Sequence, residues 1–263
     1  VPRDLWLGAT GGNGAGGTSF GRRTMDWTDE GLLLAVRPHG ESAAIVEVLT
    51  AAHGRHLGLV RGGSGRRLAP VLQPGAQLHL TWRARLDAHL GTLTVEPLRA
   101  RAAAVLTDPE RLAGLNALCA LAAWALPERE PQPRLYPLAV ALADAIAGGA
   151  DWFGPYLRWE RALLAETGFG LDLCACALSG ATEGLAHVSP RSGRAVTAAA
   201  GAPWADRLLP LPAALLSDVP ASRADMAAGL RTTGHFLATV LAPALGHRPL
   251  PAARARLAAR FPG

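Results

Sequence analysis

Arginines crowd the stretch from Gly54 to Arg101: Arg55, Arg61, Arg66, Arg67, Arg83, Arg85, Arg99 and Arg101, with only Asp87 and Glu96 as acidic company. A guanidinium stays charged at any working pH and forks onto two oxygens of one phosphate or carboxylate. Elsewhere basic and acidic residues nearly balance, so the net charge of +5 rests on this module. Such a concentration is the electrostatic footprint of a surface that meets a polyanion. The chain contains no lysine, which excludes a Walker A loop and any lysine Schiff base. Richness in Ala, Gly and Pro fits a GC-rich coding bias, so the placement of the arginines carries more meaning than their identity.

Other chemistry is poorly supported. Gly12, Gly14 and Gly17 have the spacing of a dinucleotide fingerprint, but neither a strand before nor a helix after them frames it. Cys174 and Cys176 are one residue apart, Cys119 sits in an apolar run, and His187 is the sole nearby supplement. Zinc needs four converging ligands, so no metal role is expected. Ser64 lies in Gly62-Gly63-Ser64-Gly65-Arg66, where Arg66 replaces the glycine a nucleophile elbow requires. His39, His53, His56, His79 and His89 read as polar surface that gains charge near phosphates. No cofactor and no enzymatic activity are expected.

These arginines need a rigid frame, and the pattern supplies one. Leu78, Leu80 and Trp82 alternate with His79, Thr81 and Arg83, the period of a half-buried strand. Further strands are expected at Leu32–Val36, Ala44–Leu49, Leu57–Leu59 and Leu90–Val95. Five strands parted by Gly and Pro suggest an OB-type barrel. The Gly62–Arg67 loop reads as flexible, letting two adjacent guanidinium groups reach a phosphate backbone. Thr107-Asp108-Pro109-Glu110 then announces a helix. Two more follow, through Leu138, Leu142 and Ile146 and through Trp152, Tyr156, Trp159 and Leu163; that aromatic face reads as helix packing rather than a base-stacking platform. Gly168–Pro212 reads as an irregular minor element. Helix returns near Ser222, is expected to end at Pro243, and a last basic helix carries Arg254, Arg256 and Arg260.

Three cysteines without framework spacing fit a reducing compartment. The longest apolar run, Leu112–Leu126, is too short to span a bilayer, which takes about 20 residues. The glycine-rich opening, residues 1–24, reads as a disordered extension ahead of a functional start at Met25.

Several motifs together resemble the RecO family of bacterial recombination mediators. They are R-P-H-G-E-S at Arg37–Ser42, Leu49-Thr50, His53-Gly54, Arg61-Gly62, L-P-E-R-E-P-Q-P at Leu126–Pro133, G-F-G-L-D-L at Gly168–Leu173, Cys176, and V-S-P-R-S-G-R-A-V at Val188–Val196. The resemblance implies an α+β multidomain chain: an N-terminal OB-fold (25–104), a helical domain (105–170), a degenerate zinc-ribbon-like insertion (171–212) and C-terminal helices (213–263) packing on the helical domain. Some members of the family hold zinc with two C-x-x-C pairs. Here Ser179 stands where the partner of Cys176 would be, and the second pair is missing.

The resemblance also implies single- and double-stranded DNA as the polyanion, strand annealing, and work with RecR and RecA on DNA coated by single-strand-binding protein, whose acidic C-terminal tail is recognised. It implies a cytoplasmic, nucleoid-associated protein with no membrane partner. The expected DNA contacts are Arg37, Arg55, Arg61, Arg66, Arg67, Arg83 and Arg85. An OB-type RNA-binding module and a protein-interaction scaffold are the alternatives.

Overall fold

The computed structural model describes residues 25–86 and 88–262; the glycine-rich opening lies outside them. Strands β1 (Met25–His39), β2 (Ala43–Thr50), β3 (Gly54–Val60), β4 (Gln77–Ala84) and β5 (Thr92–Arg99) close into a barrel in the order β1-β2-β3-β5-β4. This is the OB-type architecture the alternation predicts. β1 is long enough to serve two neighbours. Met25–Leu32 pairs with β4, and Gly31–His39 pairs with β2 across a register shift between Leu33 and Ala35. β3 and β5 run parallel and share the single registered pair Leu59–Thr92, so the barrel is weakly stitched there.

Inward side chains, among them Leu33, Val46, Val48, Leu80, Trp82 and Leu93, fill the barrel. Leu32, Leu34 and Leu49, on the same strands, join the helical core instead, as period-2 geometry requires. After a short α1 (Ala102–Val105), α2 (Pro109–Ala125) lies on that outer face. Its start follows from the sequence: the Asp108 carboxylate accepts from the backbone N–H groups of Glu110 and Arg111, and Pro109 opens the first turn. Cys119 is buried against the Leu33 carbonyl, and burial pushes its thiol up to about 12. It is a core residue.

α3 (Leu135–Gly148) and α4 (Phe153–Glu166) complete the first helical layer. Trp152, Tyr156, Trp159 and Leu163 are all buried, so the aromatic face is packing. Next come β6 (Leu185–Val188), β7 (Ala195–Thr197), α5 (Ala198–Gly201), a tight turn over Ala202–Arg207 and β8 (Leu209–Pro210), with sheet order β7-β6-β8. This sheet occupies the place expected for the degenerate ribbon. Cys176 is buried and accepts a hydrogen bond from the Thr197 N–H at 3.4 Å, whereas Cys174 is exposed. Among the described residues no three His, Cys, Asp or Glu side chains converge, and these residues do not fit a metal centre. Backbone bonds secure the turn: Asp172 N to Gly193 O, Ala195 N to Asp172 O, and Ala177 N to Ala195 O.

α6 (Ala213–Leu216) leads to α7 (Arg223–Phe236), opened by a reciprocal capping box between Ser222 and Asp225. The run of helix that starts there ends within a residue of Pro243, as expected. A widened turn at Leu237–Leu241 carries it into α8 (Ala242–Ala244), and α9 (Ala252–Ala258) packs back on α2. Arg254 corrects the reading of α9 as a basic helix. It is buried with Glu160, its Nε donating to Oε1 at 2.5 Å and its Nη2 to the Leu230 carbonyl at 2.9 Å. The Thr233 hydroxyl donates to the same carboxylate, so one ion pair ties α4, α7 and α9 together.

Breaking a buried pair leaves a charge without water or partner. Arg254→Met should therefore cost about 3–5 kcal/mol, read from urea unfolding, while adding Glu160→Leu should restore most of the loss. A single variant as stable as the parent would contradict the assignment.

Candidate nucleic-acid interface

Three connections converge where β3 leaves β5: the β1–β2 turn, the β3–β4 connection that begins at Arg61, and the β4–β5 turn. The β3–β4 connection, expected as a flexible loop, is tied to the β1–β2 turn by hydrogen bonds. Ser64 donates from its N–H to the Ser42 carbonyl at 3.0 Å and from its hydroxyl to the Ala43 carbonyl at 2.8 Å. Gly63 permits that approach, since a Cβ there would stand 2.7 Å from the Ala44 side chain. A helical turn then forms, with Leu72 N–H donating to Leu68 O.

Between this connection and β5 lies a groove of about 450 Å³ lined by Arg61, Arg67, Arg83, Thr92 and Thr94 over an apolar floor that includes Leu68 and Leu93. No carboxylate and no aromatic ring lines it. Arg83 comes from the outward positions of β4 and stands opposite Thr92 in the ladder. Arg66 and Arg85 are exposed nearby in the chain. Among the described residues, Arg61, Arg66, Arg67, Arg83 and Arg85 take part in no ion pair. Arg37, at the end of β1, is 71% exposed and only loosely paired, 3.6 Å from Glu47.

Arg55 departs from the expected set. Its side chain is 14% exposed, with Nη1 2.5 Å from the carboxylate of buried Glu47 and Nε donating to the Leu126 carbonyl at 2.7 Å. Glu128 adds a longer contact at 3.5 Å. These contacts commit the guanidinium to the junction between barrel and helices and leave little of it exposed to meet a phosphate. Arg101 is likewise buried, bonded to Asp144, the Gly75 carbonyl and Gln77, and Arg99 takes the other oxygen of Asp144. Burial raises the Asp144 pKa, but the hydrogen bonds from Arg101 and Arg99 outweigh it and hold the carboxyl below its ordinary value.

Two histidines also depart from the expected polar surface. His56 is buried inside the barrel with its ring edge-on to Trp27 and Trp82, and His53 stacks on Trp27 at 4.1 Å. Sequence reasoning overlooked Thr92 and Thr94, although alternation along β5 puts both on the outer face with two hydroxyl donors. It also overlooked Glu47, the strand carboxylate that takes Arg55 out of use.

Comparison with known proteins agrees with this architecture. Residues 25–101 match the family model "Recombination protein O N terminal" and residues 106–249 match "Recombination protein O C terminal". A DNA repair protein RecO of Cereibacter sphaeroides is 60% identical over 233 residues, covering 89% of this chain and 97% of the relative. Those of Ruegeria sp. and Roseobacter denitrificans are 56% and 53% identical, covering 88% and 90% of this chain and 96% and 98% of the relatives. The chain belongs to the RecO family.

The two kinds of arginine separate experimentally. Arg55→Gln, which strands Glu47, should lower unfolding free energy by about 3 kcal/mol, whereas Arg67→Gln should change it by less than about 0.5 kcal/mol. On a heparin column the order reverses: Arg67→Gln should elute at lower salt, and Arg55→Gln should elute with the parent.

Proposed function

We propose that this RecO-family protein of DNA repair and recombination binds single- and double-stranded DNA along the arginine groove, anneals complementary strands, and with RecR helps RecA load onto DNA coated by single-strand-binding protein. The observation that carries this reading is the groove itself, with three guanidinium groups and two hydroxyls and no acidic or aromatic lining. Phosphate is the ligand this donor set suits. Arg37, Arg66 and Arg85 extend the positive field along a strand.

The work involves no covalent chemistry. Two strands resist approach because their phosphates repel, and each phosphate neutralised by arginine lowers that barrier and releases a counterion. Binding confined to the backbone leaves base edges free, unlike binders that hold bases on aromatic platforms. Pairing then proceeds downhill, at about 1.4 kcal/mol per stacked step in duplex DNA. On this reading the protein works in the cytoplasm, at the nucleoid.

A second cleft supports the expected acidic partner. It measures about 540 Å³ and brings Arg134 and Arg161, with Glu166 as the one acidic residue in its lining, to an apolar floor that includes Leu138, Leu171 and Leu216. Burial, then the charge of Arg158, pulls the Arg161 pKa below its ordinary value, so an incoming carboxylate would relieve an unfavourable charge. The acidic C-terminal tail of single-strand-binding protein has that chemistry.

Annealing of complementary strands pre-coated with single-strand-binding protein, with and without RecR, tests the function. The parent should accelerate pairing, and Arg61→Gln/Arg67→Gln/Arg83→Gln should not. The same triple variant should flatten the log K against log salt slope by about 0.7 for each single-strand phosphate it no longer neutralises; an unchanged slope would remove the groove from the site. Arg134→Glu should weaken binding of the tail peptide by about tenfold, the size of one charged interaction, with DNA affinity retained. Equal tail binding by this variant would clear the second cleft of the role.

A further inference from the structure

We infer that Arg129, on the linker between α2 and α3, is a positioning residue for the β4–β5 turn that borders the arginine groove. Its backbone takes φ +64°, a left-handed conformation that non-glycine residues adopt rarely and hold only where their surroundings fix them. Those surroundings are visible. The Arg129 N–H donates to the Arg55 carbonyl at 2.8 Å, Glu128 bridges to Arg55, and Gln132 N–H donates to the Ala51 carbonyl at 2.8 Å. Gly54, at φ +61°, admits the linker; a Cβ there would lie 1.8 Å from the Glu130 carbonyl oxygen.

From this fixed backbone the guanidinium crosses to the barrel. Its Nη2 donates to the His89 carbonyl at 2.9 Å, and its Cζ lies 6.0 Å from the Trp82 ring centre. Trp82 is itself buried and donates from Nε1 to the Leu90 carbonyl at 3.0 Å. Two successive carbonyls of the turn are thus held, one from the barrel interior and one from the helical linker. Gly91 follows, its carbonyl accepting from Leu59 N–H at 3.1 Å, and then Thr92 in the groove wall. Arg85 lies at the other foot of the turn. The linker therefore helps set where Thr92 stands, without Arg129 touching the ligand.

The role rests on the reading of the groove as the DNA site, but part of its test does not. Glycine suits φ +64°, so Arg129→Gly removes the side chain while keeping the backbone conformation. Hydrogen exchange of the unliganded protein should show faster exchange in residues 88–91 for Arg129→Gly, with partial recovery in Arg129→Lys. Unchanged exchange there would overturn the inference whatever the ligand. For single-stranded DNA, Arg129→Gly should weaken binding about tenfold, the worth of one charged hydrogen bond, at an unaltered salt slope. A slope flattened by about 0.7 would make Arg129 a direct phosphate ligand instead and also overturn the positioning role. If the parent binds no DNA yet the turn loosens in Arg129→Gly, the groove reading fails and the structural role stands.

Discussion

The guanidinium of Arg55 is where the molecule is joined. It binds a buried carboxylate on β2 and the backbone carbonyl that ends α2, so strand and helix are fixed by one side chain. Glu47 makes this possible, since a carboxylate with 4% residue exposure is tolerable only with a cation in contact. Close apposition of Gly54 and Glu130 and the Arg101–Asp144 pair extend the same seam. Because the linker is held there, Arg129 can be held in turn, and through it the turn that flanks the groove.

Junction and groove use the same residue type in opposite ways. Arg55, Arg101 and Arg254 are desolvated and pair with carboxylates, contributing to the fold. Arg61, Arg67 and Arg83 stay exposed around a groove with no carboxylate in its lining, where a polyanion bound as proposed would relieve their mutual repulsion. A single parallel pair between β3 and β5 leaves the seam open enough for this groove. Barrel closure and groove thus share one geometric origin.

The sequence exposed the periodic features most clearly. Alternation in β4 placed Trp82 inside and Arg83 outside, and Asp108-Pro109 marked the start of α2. The charge cluster located the basic barrel, and ordered motifs indicated the family. What could not be read was which charges were already spent. Arg55 reaches Glu47 diagonally across neighbouring strands, Arg101 meets Asp144 from 43 residues away, and Arg254 meets Glu160 across 94. Such pairs depend on tertiary placement, for which a run of arginines carries no local signal. His56 was hard to place for a related reason. Its inward position follows from register, and a histidine beside two tryptophans gives up hydration for ring packing.

On the proposed function the arginine groove reads phosphate and ignores bases. The most direct measurement is the salt dependence of binding to homopolymers of equal length, oligo-dT, oligo-dA and oligo-dC. One common slope, about 0.7 per neutralised phosphate, with similar affinities at every salt concentration, is the expected result. A slope near zero, or affinities that follow base identity while the slope stays small, would contradict it.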